Sequence, residues 1–435
     1  MAAWADPGGD EQHTPRHHRA GLICTHVLGP HFELGVAWLE SALRCGLDWR
    51  RELAHRRRHD GWVRVLALPA LVLIAPVTVP SDDPSPHLSS GDDYTVLGAL
   101  AELPVSTDTD GLMVQTGDLV AATELAGLER PSVPDLVAVV SWIYPLTGLP
   151  REDESFAPLF VPLGQVFNYQ NLRDIAEFDI ALGWSLVDAD AFVEQSSPPD
   201  SFAVITGKFD ETTLNPELTE VADGVVSYGE GEDFETNLSD SNPVDRLGRP
   251  VRLAQDGDRI AESFSTPFVQ QWLAGPDETL ADDAALATVA AALDDADVVA
   301  AVLTRVEPGF DQLAGGSISP EVLAELQDLV QDQVPPAPFD AVGFGWNAVD
   351  GEAVITVAYR FSSADEAADS VAPLENLYRE GLSFATNQPI SEFVTIEDIA
   401  ATGDVVSVSL SIPDDSRPQV VYEMLLRRDL PFISR

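Results

Sequence analysis

From Leu88 to Arg435 the chain contains neither histidine nor cysteine. That removes much of enzyme chemistry from this stretch. A Ser-His-Asp triad, a Cys-His pair and a His- or Cys-ligated zinc or haem all need residue types it lacks. The two cysteines, Cys24 and Cys45, and seven of the eight histidines precede residue 65; His87 is the eighth. Lys208 is the only lysine, so a catalytic amine has a single address. What remains is carboxylate and guanidinium, 72 Asp and Glu against 24 Lys and Arg, a formal net charge of −48.

Two local groupings of these residues point to chemistry. Arg246, Arg249, Arg252 and Arg259 fall within fourteen residues. Guanidinium forks match carboxylate and phosphate, so the cluster reads as an anion-binding patch. The competing reading is pairing with Asp245, Asp256, Asp258 and Glu262 close by. Glu230, Glu232 and Asp233 lie in a glycine-rich loop and offer oxygen ligands of the kind Ca²⁺ takes, although the D-x-D-x-D-G order of a calcium loop is not met. A carboxylate pair could also serve glycoside hydrolysis, for which no specific pattern is present. The tail residues His13, His17, His18, Cys24 and His26 match no tight metal-ligand spacing. Phosphate-loop and dinucleotide fingerprints are absent.

The elements that must position these residues read as an α+β fold of antiparallel sheets with helices on one face. Hydrophobic residues make up 45% of the chain, with 18 Phe and 8 Trp, enough apolar surface for a core. Residues 94–334 form one α+β region, with two subdomains as an option. Short helices are expected at 93–103, 118–126, 131–142, 267–273, 280–293 and 319–334. Strands are expected at 112–116, 201–209, 225–228 and 298–306, and residues 169–193 read as helical and turn pieces. Val251 to Phe264 alternates as a hairpin about Asp256-Gly257, with Ala254 opposite Arg259. That pairing turns Val251, Leu253, Ile260 and Phe264 to the core and Arg252 and Arg259 to the other face. After Pro335–Pro338, residues 339–435 read as a ββα-ββα module, four antiparallel strands with two helices on one face. Phe178–Trp184 echoes Phe339–Trp346, a hint of duplication.

Residues 1–64 differ from the rest. Arg50, Arg51, Arg56, Arg57, Arg58 and Arg64 form a basic run, followed by the uncharged stretch Val65–Val79 and a Ser/Asp/Pro linker over 81–93. Basic, apolar and then small-polar is the order of an export signal, here residues 65–80, cleaved or kept as a signal-anchor. The stretch is short against the roughly 20 residues of a comfortable span. A translation start near residue 60 would make it an ordinary signal peptide. Beyond Arg64 the acidic excess makes nucleic acid a poor partner, and contact with a membrane is expected only through residues 65–80.

Tyr94-Thr-Val-Leu97, Val204–Asp210, Gly229-Glu-Gly-Glu232 and Gly248–Ala254 together resemble an exported-protein and lipoprotein family of high-GC bacteria. The resemblance spans residues 94–435. It implies a cell-envelope setting and brings no activity or site residues with it. A lipid-attachment cysteine of the lipoprotein kind is missing, because no Cys follows the apolar stretch. The sequence therefore leads to an extracytoplasmic acidic protein that binds a small ligand or an envelope partner. A carboxylate-dependent hydrolase and an inert spacer are the alternatives. No cofactor is expected beyond Ca²⁺ at the acidic loop.

Overall fold

The computed structural model describes residues 87–435, apart from 106–110, 152, 168–171, 308, 310–318, 320, 385, 414–415 and scattered positions from 322 to 332. The basic tail, the apolar segment 65–80, the linker up to residue 86 and most of the helix expected over 319–334 lie outside the described residues. Alternating apolar runs pair into one antiparallel sheet. Its strands are β1 (Met113–Asp118), β2 (Ala189–Ser197), β3 (Asp200–Gly207), β4 (Thr219–Ala222), β5 (Val225–Tyr228), β6 (Val251–Asp256), β7 (Arg259–Ser263), β8 (Ala300–Arg305), β9 (Phe339–Val349), β10 (Glu352–Phe361), β11 (Thr395–Thr402) and β12 (Val405–Ser411). The order across the sheet is β11-β12-β10-β9-β8-β1-β2-β3-β7-β6-β5-β4. Because β8 pairs with β9, the sheet runs unbroken from the 94–334 region into the 339–435 region.

Eight helices among the described residues complete the α+β fold: α1 (Val96–Leu100), α2 (Leu119–Leu125), α3 (Leu136–Leu146), α4 (Ile175–Leu182), α5 (Thr266–Ala274), α6 (Ala284–Asp294), α7 (Ala364–Glu380) and α8 (Val420–Leu426). Part of the chain's acidity is spent at their N-termini, where the first N–H groups lack intrahelical partners. Asp118 accepts from Val120 N and Ala121 N, Asp135 from Ala138 N, and Asp283 from Ala285 N and Leu286 N. Asp294 reaches across from α6 to Val96 N and Leu97 N of α1. None of the described helices is long and apolar enough to cross a membrane.

Helices cover both faces of the sheet rather than one. On one side α1, α5 and α6 pack over Val193, Val204, Ala301 and Leu303. On the other, α2, α3, α4, α7 and α8 pack over Phe192, Ile205, Val302, Phe344 and Tyr359. The central strands require this, since β8 places Ala300 and Val302 on one face and Ala301 and Leu303 on the other. Within 339–435 the expected arrangement holds: β9, β10, β12 and β11 adjoin in that order, and α7 and α8 lie on the same face. α6 covers the opposite face so closely that a Cβ on Gly343 would lie 2.5 Å from Val289 Cγ1.

The hairpin β6–β7 turns through Gly257-Asp258, one position later than the sequence suggested. Asp256 pairs with Arg259, and Ala254 pairs with Ala261. Gly257, at φ +62, takes the first loop position, where a two-residue turn of this hand needs glycine. The register shift is two residues, so each side chain keeps its expected face.

The echoed segments adopt different structures: Phe178–Leu182 is the end of α4, whereas Phe339–Trp346 is in β9. A symmetry is visible instead in the strand order. Outward from the central β1–β8 pair, hairpins β2–β3 and β6–β7 occupy one half, and hairpins β9–β10 and β11–β12 occupy the other.

Candidate functional site

Strand pairing brings distant residues into rows across the sheet, and side chains in one row share a face. One row runs Val408, Val357, Phe344, Val302, Gln115, Glu194, Ala203, Glu262, Leu253. Its apolar members belong to the core on the α7/α8 face. Gln115, Glu194 and Glu262 interrupt it, and a carboxylate in such a row is costly unless its oxygens find donors.

Glu194 finds them. Its carboxylate accepts from Gln165 N at 2.9 Å and Val166 N at 3.1 Å, the first N–H groups of the 3-10 turn Gln165–Phe167. The loop lies so close that a Cβ on Gly164 would sit 2.1 Å from Glu194 Oε2, so the approach depends on glycine. Burial pushes the Glu194 carboxyl up to about 7, against the lowering effect of its two backbone donors. Beside it, Gln115 Nε2 donates to Pro162 O at 3.3 Å and to the Tyr422 hydroxyl at 3.2 Å.

Glu262 lies beyond β3, with only the small Ala203 between it and Glu194. Two strand spacings set their Cα atoms about 10 Å apart. Glu262 Oε2 is buried and has no hydrogen-bond partner. Burial, then the negative charges of Glu194 and Asp245, push this carboxyl up to about 8. The residue lines a small cleft, partly open to solvent, together with Gln165, Val166, Ser201, Ala203, Val244, Asp245, Arg249, Val251, Ser263 and Phe264. On the far wall Arg249 Nη2 donates to Asp245 Oδ2 at 2.7 Å, and its guanidinium stacks 3.7 Å from the centroid of the Phe264 ring.

The four arginines singled out by sequence do not form one patch. Arg249 lines the cleft. Arg252 and Arg259 lie on the opposite face of the sheet, and Arg246 pairs with Asp174. Arg252 is buried and donates to Asp233 at 2.8 Å, Thr266 Oγ1 at 3.1 Å, Ser227 Oγ at 2.5 Å and Gly231 O at 2.8 Å. Arg259 bridges Glu102 at 2.7 Å and Asp256 at 2.6 Å, and lies over the Trp272 ring. Each guanidinium is therefore already matched to a carboxylate.

Of the acidic loop, Glu230 and Glu232 are exposed. Asp233 turns inward to Arg252 and also accepts from Thr266 N and Oγ1 at 2.7 Å each. Among the described residues no group of three or more His, Cys, Asp or Glu could hold a metal ion.

The sequence reading passed over Glu194 and took Glu262 only as a partner for the arginines. For Glu262 the signal was present: it falls between Ile260 and Phe264 on the core-facing side of the hairpin alternation. Glu194 was hidden because residues 189–193 read as the end of a helical stretch, which gave the carboxylate no face.

No protein-family model and no curated protein matches this chain. Among solved structures, crystal form I of TP0453 is similar at a TM-score of 0.34 and 10% identity, over 75% of this chain and 97% of that one. Crystal form III of TP0453 gives a TM-score of 0.33 at 10% identity, over 75% and 98%.

Proposed function

We propose that the chain is an extracytoplasmic binding protein, not an enzyme, and that the cleft beside Glu262 takes a small polar ligand. The carrying observation is Glu262 Oε2, buried at the edge of the cleft without a partner. Ligand pockets combine apolar and convergent polar groups, and here Val166, Val244, Val251 and Phe264 back a mainly polar lining. The external location rests on the sequence order of basic run, apolar stretch and polar linker.

Hydrolysis by paired carboxylates needs one to act as acid and the other as base or nucleophile. The oxygens of Glu194 are engaged by Gln165 N and Val166 N, and Gly164 covers the group. That leaves Glu262 as one free carboxylate rather than a pair, which favours binding over catalysis.

The test is thermal unfolding of the full chain against a panel of small polar molecules. A ligand is expected to raise the melting temperature of the native chain and to have no effect on Glu262→Gln. A panel that moves neither protein, or moves both equally, rejects the cleft as the binding site. N-terminal analysis of protein from fractionated cells checks location; a chain confined to the cytosol rejects export.

A further inference from the structure

The hydrogen-bond inventory of the cleft identifies what its ligand must bring. Most donors buried along its walls are committed, while the Gln165 side chain is exposed to solvent. Arg249 Nε and Nη2 donate to Asp245 at 3.2 and 2.7 Å, Ser263 Oγ donates to Ser201 O at 2.6 Å, and the backbone N–H groups of Gln165 and Val166 donate to Glu194. Asp245 is filled as well, accepting from Leu247 N, Arg249 N and the Arg249 guanidinium. Among the described residues lining the cleft, the buried side-chain atom left without a partner is an acceptor, Glu262 Oε2. We propose that the cleft selects a small organic cation, a primary amine or guanidinium on a short aliphatic chain, whose N–H groups bind Glu262 while its methylenes lie against Val244, Val251 and Phe264.

This deepens the binding reading above and rests on it. Charge agrees with the inventory. The Asp245–Arg249 pair is internally neutral, so the unbalanced group lining the cleft is Glu262, with Glu194 lying beyond Ala203 outside the lining. Tyr422 on α8 faces Glu194 without adding positive charge. An ammonium would supply the charge that Glu262 lacks, and a charge-assisted bond to a carboxylate is among the stronger polar contacts. Burial together with Glu194 and Asp245 holds Glu262 largely protonated near neutrality. A bound cation therefore takes the place of a proton, and binding releases that proton to the buffer.

The experiment is titration calorimetry on the full chain near pH 7, at about 0.15 M salt to screen the acidic surface. The probes are butane-1,4-diamine, butane-1,4-diol and succinate, each in two buffers of different ionisation enthalpy. The expected result is one site for the diamine, proton release on binding, and no site for the diol or succinate. Glu262→Gln should weaken the diamine at least ~10-fold, the loss of one charge-assisted bond. Glu262→Asp should keep the preference for amine at lower affinity. Glu230→Gln, an exposed carboxylate, should leave binding unchanged. Circular dichroism of each variant separates lost binding from lost fold. Diol or succinate binding that disappears in Glu262→Gln overturns the cation assignment and leaves the cleft as a site. Diamine binding that survives Glu262→Gln, or falls equally in Glu230→Gln, overturns the assignment by revealing general attraction to an acidic chain. No heat with any probe also overturns it, and the ligand panel then decides whether the cleft binds anything.

Discussion

Turning the sheet about its central β1–β8 pair lays Gln115 on Val302, Glu194 on Phe344, Ala203 on Val357 and Glu262 on Val408. Both halves use the same strand plan, yet one carries a polar row where the other carries a dry core. The difference lies between the hairpins. After β10 the chain makes the long helix α7, which returns over the sheet and buries Val357 and Val408 with it. After β3 it instead makes β4 and β5, which extend the sheet edge. With those residues spent on strands, the corresponding ground over β3 and β7 is bordered by the loops that carry Gln165 and Asp245–Arg249, and the cleft opens there. A repeated fold thus yields a site in one half by exchanging a covering helix for edge strands.

The strongest way to break this comparison is to carry the polar row into the dry half. Phe344 is fully buried, its ring 5.3 Å from Trp346 and 5.4 Å from Phe432. Phe344→Glu places a carboxylate beside the 3-10 turn Leu430–Phe432, whose N–H groups are already given to Asp429, and it removes a large apolar side chain. Urea unfolding near pH 7 should show a loss on the order of 4 kcal/mol or more. A loss below about 1 kcal/mol would mean that the second half tolerates a charge as the first does, and the contrast would fail.

Glu262→Gln gives the next largest effect, with the opposite sign. The folded-state carboxyl is raised above its ordinary value of 4.5, to about 8. A raised carboxyl contributes stability that is fully present below pH 4.5 and is lost as pH rises through 8, because the unfolded chain ionises first. The variant has no such titration. The whole rise would be worth about 5 kcal/mol, and since the side chain is only partly buried the variant should be more stable than the native chain above pH 8 by roughly 2 kcal/mol, the two being close near pH 4. Melting curves across that range check this; parallel pH profiles would show that Glu262 is not desolvated as described.

Glu194→Gln should reverse that sign at a smaller magnitude. Glu194 meets two backbone donors with two acceptor oxygens, whereas an amide presents one acceptor and one NH₂ group. One of the N–H groups of Gln165 and Val166 would then lose its partner, a cost of about 1–2 kcal/mol. The loss should be fullest near pH 4 and shrink as pH rises through 7, because a carboxyl raised to about 7 itself gives up stability over that range. Chemical unfolding at pH 4 and pH 8 measures it. Stabilisation by both Gln variants would mean that the two acids are equivalent, and that only one being cradled has no consequence.

Much of this fold is legible in sequence because local signals agree with tertiary ones. Asp350-Gly351, at φ +53 and +84, marks the β9–β10 turn, and the stripe of α7 runs through Ala367, Leu374 and Leu377. In β6–β7 the alternation fixes the faces, although the turn is displaced by one residue. The site is harder to read because no single segment holds it. Glu194 and Glu262 are 68 positions apart and meet only through the register of β2, β3 and β7. Sequence clustering drew attention to the arginines instead, and proximity along the chain put Arg249 and Arg252 on opposite faces of one sheet. β2 escaped because its apolar content abuts the helix-forming run of α4, and β4 because Thr219–Ala222 is short and largely exposed.

The mildest test concerns the middle of the polar row. Gln115 is buried and links β1 to the loop at Pro162 and to Tyr422 on α8. Gln115→Val copies the residue that the dry half has at Val302. Pro162 O and the Tyr422 hydroxyl would each lose a donor, while valine would gain some apolar burial; the opposing effects should leave a loss of about 1 kcal/mol. Gln115 does not line the cleft, so ligand affinity should stay within about twofold of the native chain if its role is to tie α8 to the sheet. Melting and calorimetry on the same sample separate the two outcomes. A stability loss with affinity intact places the boundary of the site between Gln115 and Glu194. A large drop in affinity would extend the site to the central strand and make the polar row act as one unit.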